Sequence, residues 1–293
     1  RTLRALRVER HLNRSARFPD VRPRAPTPPG ETAPNPYFEL IGSPALENLR
    51  SFQMGDDSAD SDDGVTDTRA SAPGLEHVVG GMARLEELQL LCDGYSADAL
   101  FALPNLARLQ MLRVVGIGAA SIGSDGAVPL DVLARNPALT SLTHLVVHPD
   151  SRLRGYAPLP LAQVRQLFHT RHLPALTHVQ LRHSDMGDDG VNVIVGSPLF
   201  GRLERLDLRN GTITDAGAQA LAQSRAARQL RRLDLSRNRV TQSGLELLKR
   251  AGVNAVVSTA PSRREREERD RQARSRRGTR NDYDSEERNG DWE

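Results

Sequence analysis

The 293-residue sequence has a single cysteine, Cys92, which excludes an internal disulfide and a cysteine-rich metal site. Without a disulfide secretion is not indicated, and by default we expect a protein of the reducing cytoplasm. No apolar run approaches the ~18 residues that can span a bilayer, and no membrane segment is predicted. The arginines at the N-terminus have no apolar core behind them, so they are not a secretory signal. The chain also lacks an initiator Met, and we expect it to be a fragment or a processed form of a longer protein.

Aromatic residues make up only 4% of the sequence, which leaves few side chains for stacking on nucleic-acid bases. Lys249 is the only lysine, and we interpret this arginine bias as a sign of a high-GC, bacterial genome. The net charge of +3 conceals arginine-rich blocks at residues 1–24 and 263–280 and an aspartate-rich block at 56–67. Like-charge blocks of this kind are typical of solvated segments.

Three stretches repeat with a period of 27 residues, beginning at Leu176, Leu203 and Leu230. Each follows the pattern L-x-x-L-x-L, with valine once in the second position, and then carries an apolar residue and a glycine at fixed offsets. The aligned columns are Val179/Leu206/Leu233, Leu181/Leu208/Leu235, Met186/Ile213/Val240 and Gly190/Gly217/Gly244. A fixed period of this length indicates a stacked repeat architecture.

Looser copies of the pattern extend the array upstream. They begin at Leu3, Leu49, Leu85, Leu106 and Leu142, which gives eight repeats in all. The step of 21 residues from Leu85 to Leu106 is too short for a full helix. We therefore predict an irregular solenoid over residues 1–257, with a proline-rich loop at 18–45 and an acidic insertion at 55–70. Residues 258–293 are predicted to form a charged, disordered tail.

These repeats resemble the leucine-rich repeats of the ribonuclease-inhibitor-like class. The resemblance implies an α/β solenoid that is curved, with parallel strands on its concave face and helices or loops on its convex face. Alternate strand residues face opposite ways, so Leu206 and Leu208 should point into the core. Arg205, Asp207 and Arg209 should then face outward.

Local signals agree with this reading. Thr214 offers a capping side chain before a run of helix formers, and Pro129 and Pro160 precede apolar helical patterns. The asparagine that the family places three residues after the last strand leucine is present only as Asn238. We therefore expect the earlier repeats to be less regular than the last.

The outward strand residues of successive repeats should line up in columns on the concave face, about 4.8 Å apart. In our alignment Arg108 shares a column with His144, and Leu91 and Leu112 are exposed. The predicted partner-binding residues are Leu91, Arg108, Leu112, His144, His148, His178, Arg182, Arg205, Asp207, Arg209, Arg232 and Asp234. The arginines would anchor acidic groups and the leucines would supply apolar contact.

The resemblance implies a non-enzymatic scaffold that binds a protein partner on its concave face and the adjoining loops, because solenoids bind through such surfaces. Two alternatives remain open. The arginine-rich termini could bind nucleic acid, or the array could be a spacer in a longer chain. The charged residues could also serve only to solvate the sheet.

No catalytic group, cofactor, metal ion or small-molecule substrate is predicted. His148 lies roughly 13 Å along a strand from His144, too far to share a zinc ion. The acidic run fails the EF-hand spacing, and Ser121 stands where a dinucleotide fingerprint needs its third glycine. The contiguous residues 183–185 cannot converge as a triad, and Cys92 is expected to be a packed thiol.

Overall fold

A computed structural model describes residues 4–8, 43–55, 72–92, 94–117, 129–149 and 159–257. Contacts within the chain separate residues 1–257 from residues 258–293. Most of the proline-rich loop, nearly all of the acidic insertion and the whole charged tail lie outside the described residues. What the sequence predicts for those segments therefore stays a prediction.

The strands of the described residues form one parallel sheet whose order follows the chain. They are β1 (Ala5–Val8), β2 (Ser51–Met54), β3 (Glu87–Leu90), β4 (Met111–Ile117), β5 (His144–Pro149), β6 (His178–Leu181), β7 (Arg205–Asp207), β8 (Arg232–Asp234) and β9 (Ala255–Val256). This topology confirms the predicted α/β solenoid, because each repeat adds one strand beside the previous one. The two-residue strand β9 follows the eight repeats that the sequence predicts.

A helix follows each strand from β2 to β8. The helices are α1 (Leu75–Gly80), α2 (Ala97–Phe101), α3 (Leu130–Arg135), α4 (Leu161–His169), α5 (Gly187–Val195), α6 (Asp215–Gln223) and α7 (Gln242–Arg250). Each helix packs against the next one along the array. The last four have nine residues each, whereas the first three are shorter, so the regular part of the solenoid is its C-terminal half.

The core lies between the sheet and the helices. Leu206 and Leu208 are fully buried, as predicted, and the leucines that open each repeat form a second buried row. That row is Leu49, Leu85, Leu109, Leu142, Leu176, Leu203 and Leu230. Burying a leucine stabilises a fold by roughly 1.5–3 kcal/mol, so these rows supply much of the stacking energy between repeats.

The predicted register of the fourth strand is wrong by three residues. Leu88 of β3 pairs with Leu112, and Leu90 pairs with Val114, so the repeat opens at Leu109 and not at Leu106. The segment Leu106–Val114 fits the repeat pattern in both registers, and the structure selects the one that buries Leu112. The step from Leu85 thereby becomes 24 residues, which accommodates the five-residue helix α2.

The helix starts agree with the sequence signals. Pro129 and Pro160 immediately precede α3 and α4. Thr214 caps α6 by accepting a hydrogen bond from the amide of Ala216, and Thr241 caps α7 in the same way. Such caps satisfy backbone donors that have no partner inside the helix.

A second set of bonds links consecutive helices. The carboxylate of Asp188 accepts hydrogen bonds from the amide and hydroxyl of Thr214 and from the amide of Gly217. Asp215 holds Thr241 in the same manner one repeat later. These bonds hold the pKa of the Asp215 carboxyl below its ordinary value. Each aspartate therefore connects its own helix to the cap of the next.

Asn238 joins the last two repeats on the side where the strands end. Its Oδ1 accepts hydrogen bonds from the amides of Gly211 and Ile213, and its Nδ2 donates to the carbonyls of Leu208 and Leu235. One side chain thus satisfies four backbone groups. The residues 27 and 54 positions earlier, Gly211 and Ser184, have no amide group to do the same.

Candidate functional site

An open cleft of about 300 Å³ lies on the strand face of the solenoid, across β5 to β8. Nine of its thirteen lining residues are polar or charged, and they recur at equivalent positions of successive repeats. The lining residues are His144, Leu145, Val146, His178, Val179, Gln180, Arg182, Arg205, Leu206, Asp207, Arg209, Arg232 and Asp234. We call this feature the concave cleft.

One row of side chains crosses the concave cleft at right angles to the strands. His144 pairs in register with His178, His178 with Arg205, and Arg205 with Arg232. Because all four occupy the first position of their strands, their side chains lie side by side on one face. We call these four residues the first-position row.

The two histidines of this row are stacked on each other. Their ring centroids are 4.1 Å apart and the ring planes differ by 24°. Each Nδ1 lies 2.8–2.9 Å from the hydroxyl of the preceding threonine, Thr143 or Thr177. Each hydroxyl in turn donates its proton to a backbone carbonyl, that of Gln110 or that of Thr143.

These bonds favour the Nδ1–H tautomer of both rings. A threonine hydroxyl has one proton, and where it is directed to a carbonyl the imidazole donates Nδ1–H to the hydroxyl oxygen; the bond from Thr143 to Gln110, at 2.9 Å, is the shorter of the two. Nε2 is then the ring nitrogen left for an occupant of the cleft. The threonines also fix the orientation of both rings, because each ring is bonded at one nitrogen and stacked on one side.

The histidine environment favours the neutral form. Burial lowers the pKa of His144 below its ordinary value, and the positive charge of Arg205 lowers it further, against an opposing effect of Glu204. Burial is also the main cause that lowers the pKa of His178, followed by the adjacent His144 ring and Arg205. Both rings are therefore mostly neutral at pH 7.

The floor of the concave cleft contains a network of ion pairs around Asp207. The carboxylate of Asp207 accepts hydrogen bonds from Nε of Arg182 at 2.9 Å and from Nη2 of Arg209 at 2.8 Å. Its Oδ1 also accepts from the backbone amide of Arg209. Burial of this carboxyl outweighs the opposing effect of Arg182 and raises its pKa to about 6.

Asp234 repeats this arrangement one strand later. Its Oδ1 accepts a hydrogen bond from the amide of Ser236, and its Oδ2 lies 3.3 Å from Nη2 of Arg232 and 3.8 Å from Nε of Arg209. Arg209 therefore bridges the two aspartates. Both carboxylates are almost fully buried and are already bonded to arginines of the same face.

Arg205 differs from the other arginines of the concave cleft. Within the part of the chain that the structure describes, Arg182, Arg209 and Arg232 each pair with an aspartate, whereas Arg205 makes no ion pair. Its side chain is exposed. It stands between the histidine pair and Arg232 in the first-position row. The cleft thus offers one cation that is not neutralised within the described residues.

The structure brings together eight of the twelve residues predicted for the site. These are His144, His178, Arg182, Arg205, Asp207, Arg209, Arg232 and Asp234, all of which line the concave cleft. Their binding role stays a prediction. For all of them except His144 the placement follows from the strict 27-residue period, which fixes the register of the last repeats.

The other four predicted site residues do not belong to the concave cleft. Leu91 and Leu112 are each only 2% exposed, so neither can supply the apolar contact expected of it. Arg108 is exposed but lies in the turn before β4, because of the three-residue error in register. His148 pairs with Val115 near the end of β5, and its side chain is 4% exposed.

Sequence reasoning missed the threonines that orient the histidines. The tripeptide Leu-Thr-His occurs at 142–144 and again at 176–178, and this repetition was a visible signal. The predicted site also left out Val146 and Gln180, which are the third residues of β5 and β6, pair with each other in register and line the cleft.

Among the described residues no group of three or more histidine, cysteine, aspartate or glutamate side chains is arranged to hold a metal ion. The described helices include none with the length and hydropathy needed to cross a bilayer. Cys92 is buried as a thiol, as its sequence context predicts.

Comparison with known proteins identifies the repeats. A family model described as "Leucine Rich repeat" matches residues 172–195, 203–222 and 227–249. No curated protein matches the sequence.

Two solved structures are similar at low sequence identity. One is a protein from Bacteroides fragilis, with 15% identity over 74% of this chain and a TM-score of 0.44. The other is an internalin from Listeria monocytogenes, with 16% identity over 74% of this chain and a TM-score of 0.34. The chain spans 57% of the length of the first and 70% of the second.

Proposed function

The chain is a leucine-rich-repeat protein, and on this premise we propose that it is a non-enzymatic scaffold that binds an acidic segment of a protein partner in the concave cleft. The observation that carries the proposal is Arg205, an exposed arginine without a counter-charge among the described residues, inside an otherwise paired network. Strand faces of solenoids are extended surfaces on which partners bind.

The charges of the cleft favour a protein over a nucleic acid. A nucleic-acid backbone needs a stripe of available cations to neutralise successive phosphates. Here Asp207 and Asp234 already engage three of the four arginines of the cleft. One available arginine beside half-buried polar groups suits a single carboxylate of a protein partner better than a polyanion.

Two further expectations from the sequence, the cytoplasmic location and the nucleic-acid alternative, remain proposals. A cytoplasmic location rests on the single cysteine, Cys92, which is buried. The nucleic-acid alternative concerns the arginine-rich termini, which lie almost entirely outside the described residues. A salt-dependent affinity for nucleic acid that disappears on deletion of residues 258–293 would support that alternative.

Charge reversal tests the proposed function. We expect a double variant, Arg205→Glu with Arg232→Glu, to lose a protein that the wild-type chain captures from a lysate of its host. The matched control reverses two exposed arginines outside the cleft, Arg228→Glu and Arg250→Glu, and should retain that protein. Circular dichroism would establish that all three chains fold. Equal capture by both double variants would contradict binding in the concave cleft.

A further inference from the structure

His144 and His178 are held in a fixed geometry that side chains serving only to solvate the sheet would not require. Two imidazoles are stacked at 4.1 Å, each is held at Nδ1 by a threonine, and both line the cleft beside Arg205. No bond to either Nε2 occurs within the described residues. The free nitrogens of both rings are therefore available to an occupant that also reaches Arg205.

We propose that His144, His178 and Arg205 form a proton-coupled site for a carboxylate side chain of the partner, so that binding takes up protons and tightens as the pH falls. This inference rests on the proposed function and specifies how the same cleft is regulated. In the neutral Nδ1–H tautomer each Nε2 carries a lone pair and cannot donate a hydrogen bond to a carboxylate. When the rings are protonated, each Nε2 becomes a donor and each ring adds a positive charge.

The coupling follows from reciprocity. A carboxylate next to Arg205 raises the proton affinity of both rings, and protonation of the rings raises the affinity for the carboxylate by the same factor. The free state keeps both rings neutral through burial and through Arg205. An acidic occupant offsets the effect of Arg205 on the histidine pKa values, because its negative charge neutralises the guanidinium group.

The charged groups around the pair act in known directions. Glu204, before β7, opposes the lowering of both pKa values, while Arg231 lowers the pKa of His178 as Arg205 does. On the other side β4 contributes Met111 beside His144 and Arg113 in the next column. In the floor of the cleft, protonation of Asp207 also adds net positive charge as the pH falls. Protonation of the histidines and protonation of Asp207 therefore both strengthen the attraction of the cleft for an anion.

A carboxylate fits this site better than a phosphate chain. The inner faces of the two rings are stacked on each other, so they are closed to a base. Asp207 and Asp234 remain fixed anions close to the row at neutral pH, and they disfavour any ligand with several adjacent charges. The site can therefore neutralise one acidic group at a time.

The test uses the full chain and a six-residue peptide with one aspartate among neutral residues, amidated at its C-terminus and labelled at its N-terminus with a dye whose emission does not change with pH. The dissociation constant is measured by fluorescence anisotropy at pH 7.5 and pH 5.5. The peptide stays ionised at both values, since the aspartate pKa is about 3.9. We expect the wild-type chain to bind about fivefold more tightly at pH 5.5, because two partly exposed charge interactions contribute up to roughly 1 kcal/mol in all.

Two double variants test whether the histidines of the cleft cause this pH dependence. With His144→Gln and His178→Gln the ratio of the two dissociation constants should fall well below the wild-type ratio, leaving the part due to Asp207. The matched control, His77→Gln with His169→Gln, removes two exposed histidines on α1 and α4 and should keep the wild-type ratio. Calorimetry at pH 6.5 in two buffers of different ionisation enthalpy should show proton uptake by the wild-type chain and a smaller uptake by the first variant.

The outcomes separate this inference from the proposed function. Binding with a pH ratio that is unchanged in the His144→Gln and His178→Gln variant would overturn the proton-coupled site and leave the scaffold proposal in place. No binding of the peptide at either pH would overturn the carboxylate site, while the lysate capture would still decide whether the cleft binds a protein. A lower affinity at pH 5.5 than at pH 7.5 would also overturn it.

Discussion

Asn238 and Ser184 occupy equivalent repeat positions but have opposite hydrogen-bond status. Asn238 satisfies four backbone groups of the last two repeats. The hydroxyl of Ser184 is fully buried and has no hydrogen-bond partner among the residues that the structure describes. A buried polar group without a partner costs about 1–3 kcal/mol, so the two residues should respond differently to removal of the polar group.

We expect Asn238→Ala to lower the free energy of unfolding by about 2 kcal/mol, because it leaves backbone donors and acceptors without partners. Ser184→Ala should leave stability unchanged or raise it by up to ~1 kcal/mol. Urea denaturation of both variants and the wild-type chain measures this contrast. A Ser184→Ala loss as large as that of Asn238→Ala would show that the hydroxyl has a stabilising bond.

The glycine column of the last repeats has a steric cause. A Cβ at Gly217 would lie 2.5 Å from Oδ1 of Asp188 and 2.7 Å from Cγ2 of Ile213. That carboxylate cannot move away without breaking its bonds to Thr214. The close approach of consecutive helices therefore requires glycine at this position.

Gly217→Ala should reduce the free energy of unfolding by about 1–3 kcal/mol, as an overpacked core position does. Gly201→Ala is the matched control, because a Cβ there meets nothing within 4 Å. It should change stability by less than ~0.5 kcal/mol in the same thermal or urea unfolding experiment. If both substitutions change the free energy of unfolding equally, the bond between Asp188 and the cap of α6 is not the reason for glycine at position 217.

At the scale of elements, strand β7 carries a carboxyl whose pKa is raised. Folding raises the pKa of Asp207 from 3.8 to about 6, so the folded state binds the proton more tightly than the unfolded chain does. The stability gained from this proton is fully present below pH 3.8 and is lost as the pH rises through about 6. The histidines of β5 and β6 act with the opposite sign, since their pKa values are lowered and their contribution is lost as the pH falls.

We expect the stability difference between the wild-type chain and an Asp207→Asn variant to move in favour of the wild type by about 1 kcal/mol between pH 7.5 and pH 5. Urea denaturation at the two pH values gives this difference directly. Asp189→Asn, which removes an exposed carboxyl on α5 outside the cleft, is the control. A difference for Asp207→Asn that is constant with pH would contradict the raised pKa.

The strands also show how far the sequence could predict the structure. The register of β6, β7 and β8 was predictable because three repeats share a 27-residue period. The register of β4 was not, because leucines at 106, 109 and 112 satisfy the same pattern in two frames. Only the pairing with β3 decides between them, and that pairing depends on which frame fills the core beside Leu88.

Burial and side-chain contacts were harder to predict than register. Leu91 occupies an outward position by periodicity, yet it is buried, because exposure depends on what packs against a position as well as on alternation along the strand. The adjacency of His144 and His178 was predictable from the columns. Their stacking and their bonds to Thr143 and Thr177 were not, because these depend on rotamers.

At the scale of the whole molecule, the regular C-terminal repeats and the concave cleft coincide. The cleft extends over β5 to β8, and the helices α4 to α7 behind these strands have nine residues each. Regular stacking keeps the outward side chains in register, and this register brings the first-position row together. The part of the solenoid with the most regular repeats is therefore also the part that presents the candidate site.

The most direct test of the central claim is the reactivity of individual arginines toward a dicarbonyl reagent, read by mass spectrometry with and without the captured partner. The chain provides its own controls, because Arg228 and Arg250 are exposed outside the cleft. The account predicts that Arg205 loses reactivity in the complex while Arg228 and Arg250 keep theirs. Unchanged reactivity of Arg205, with protection at the other two, would contradict binding in the concave cleft.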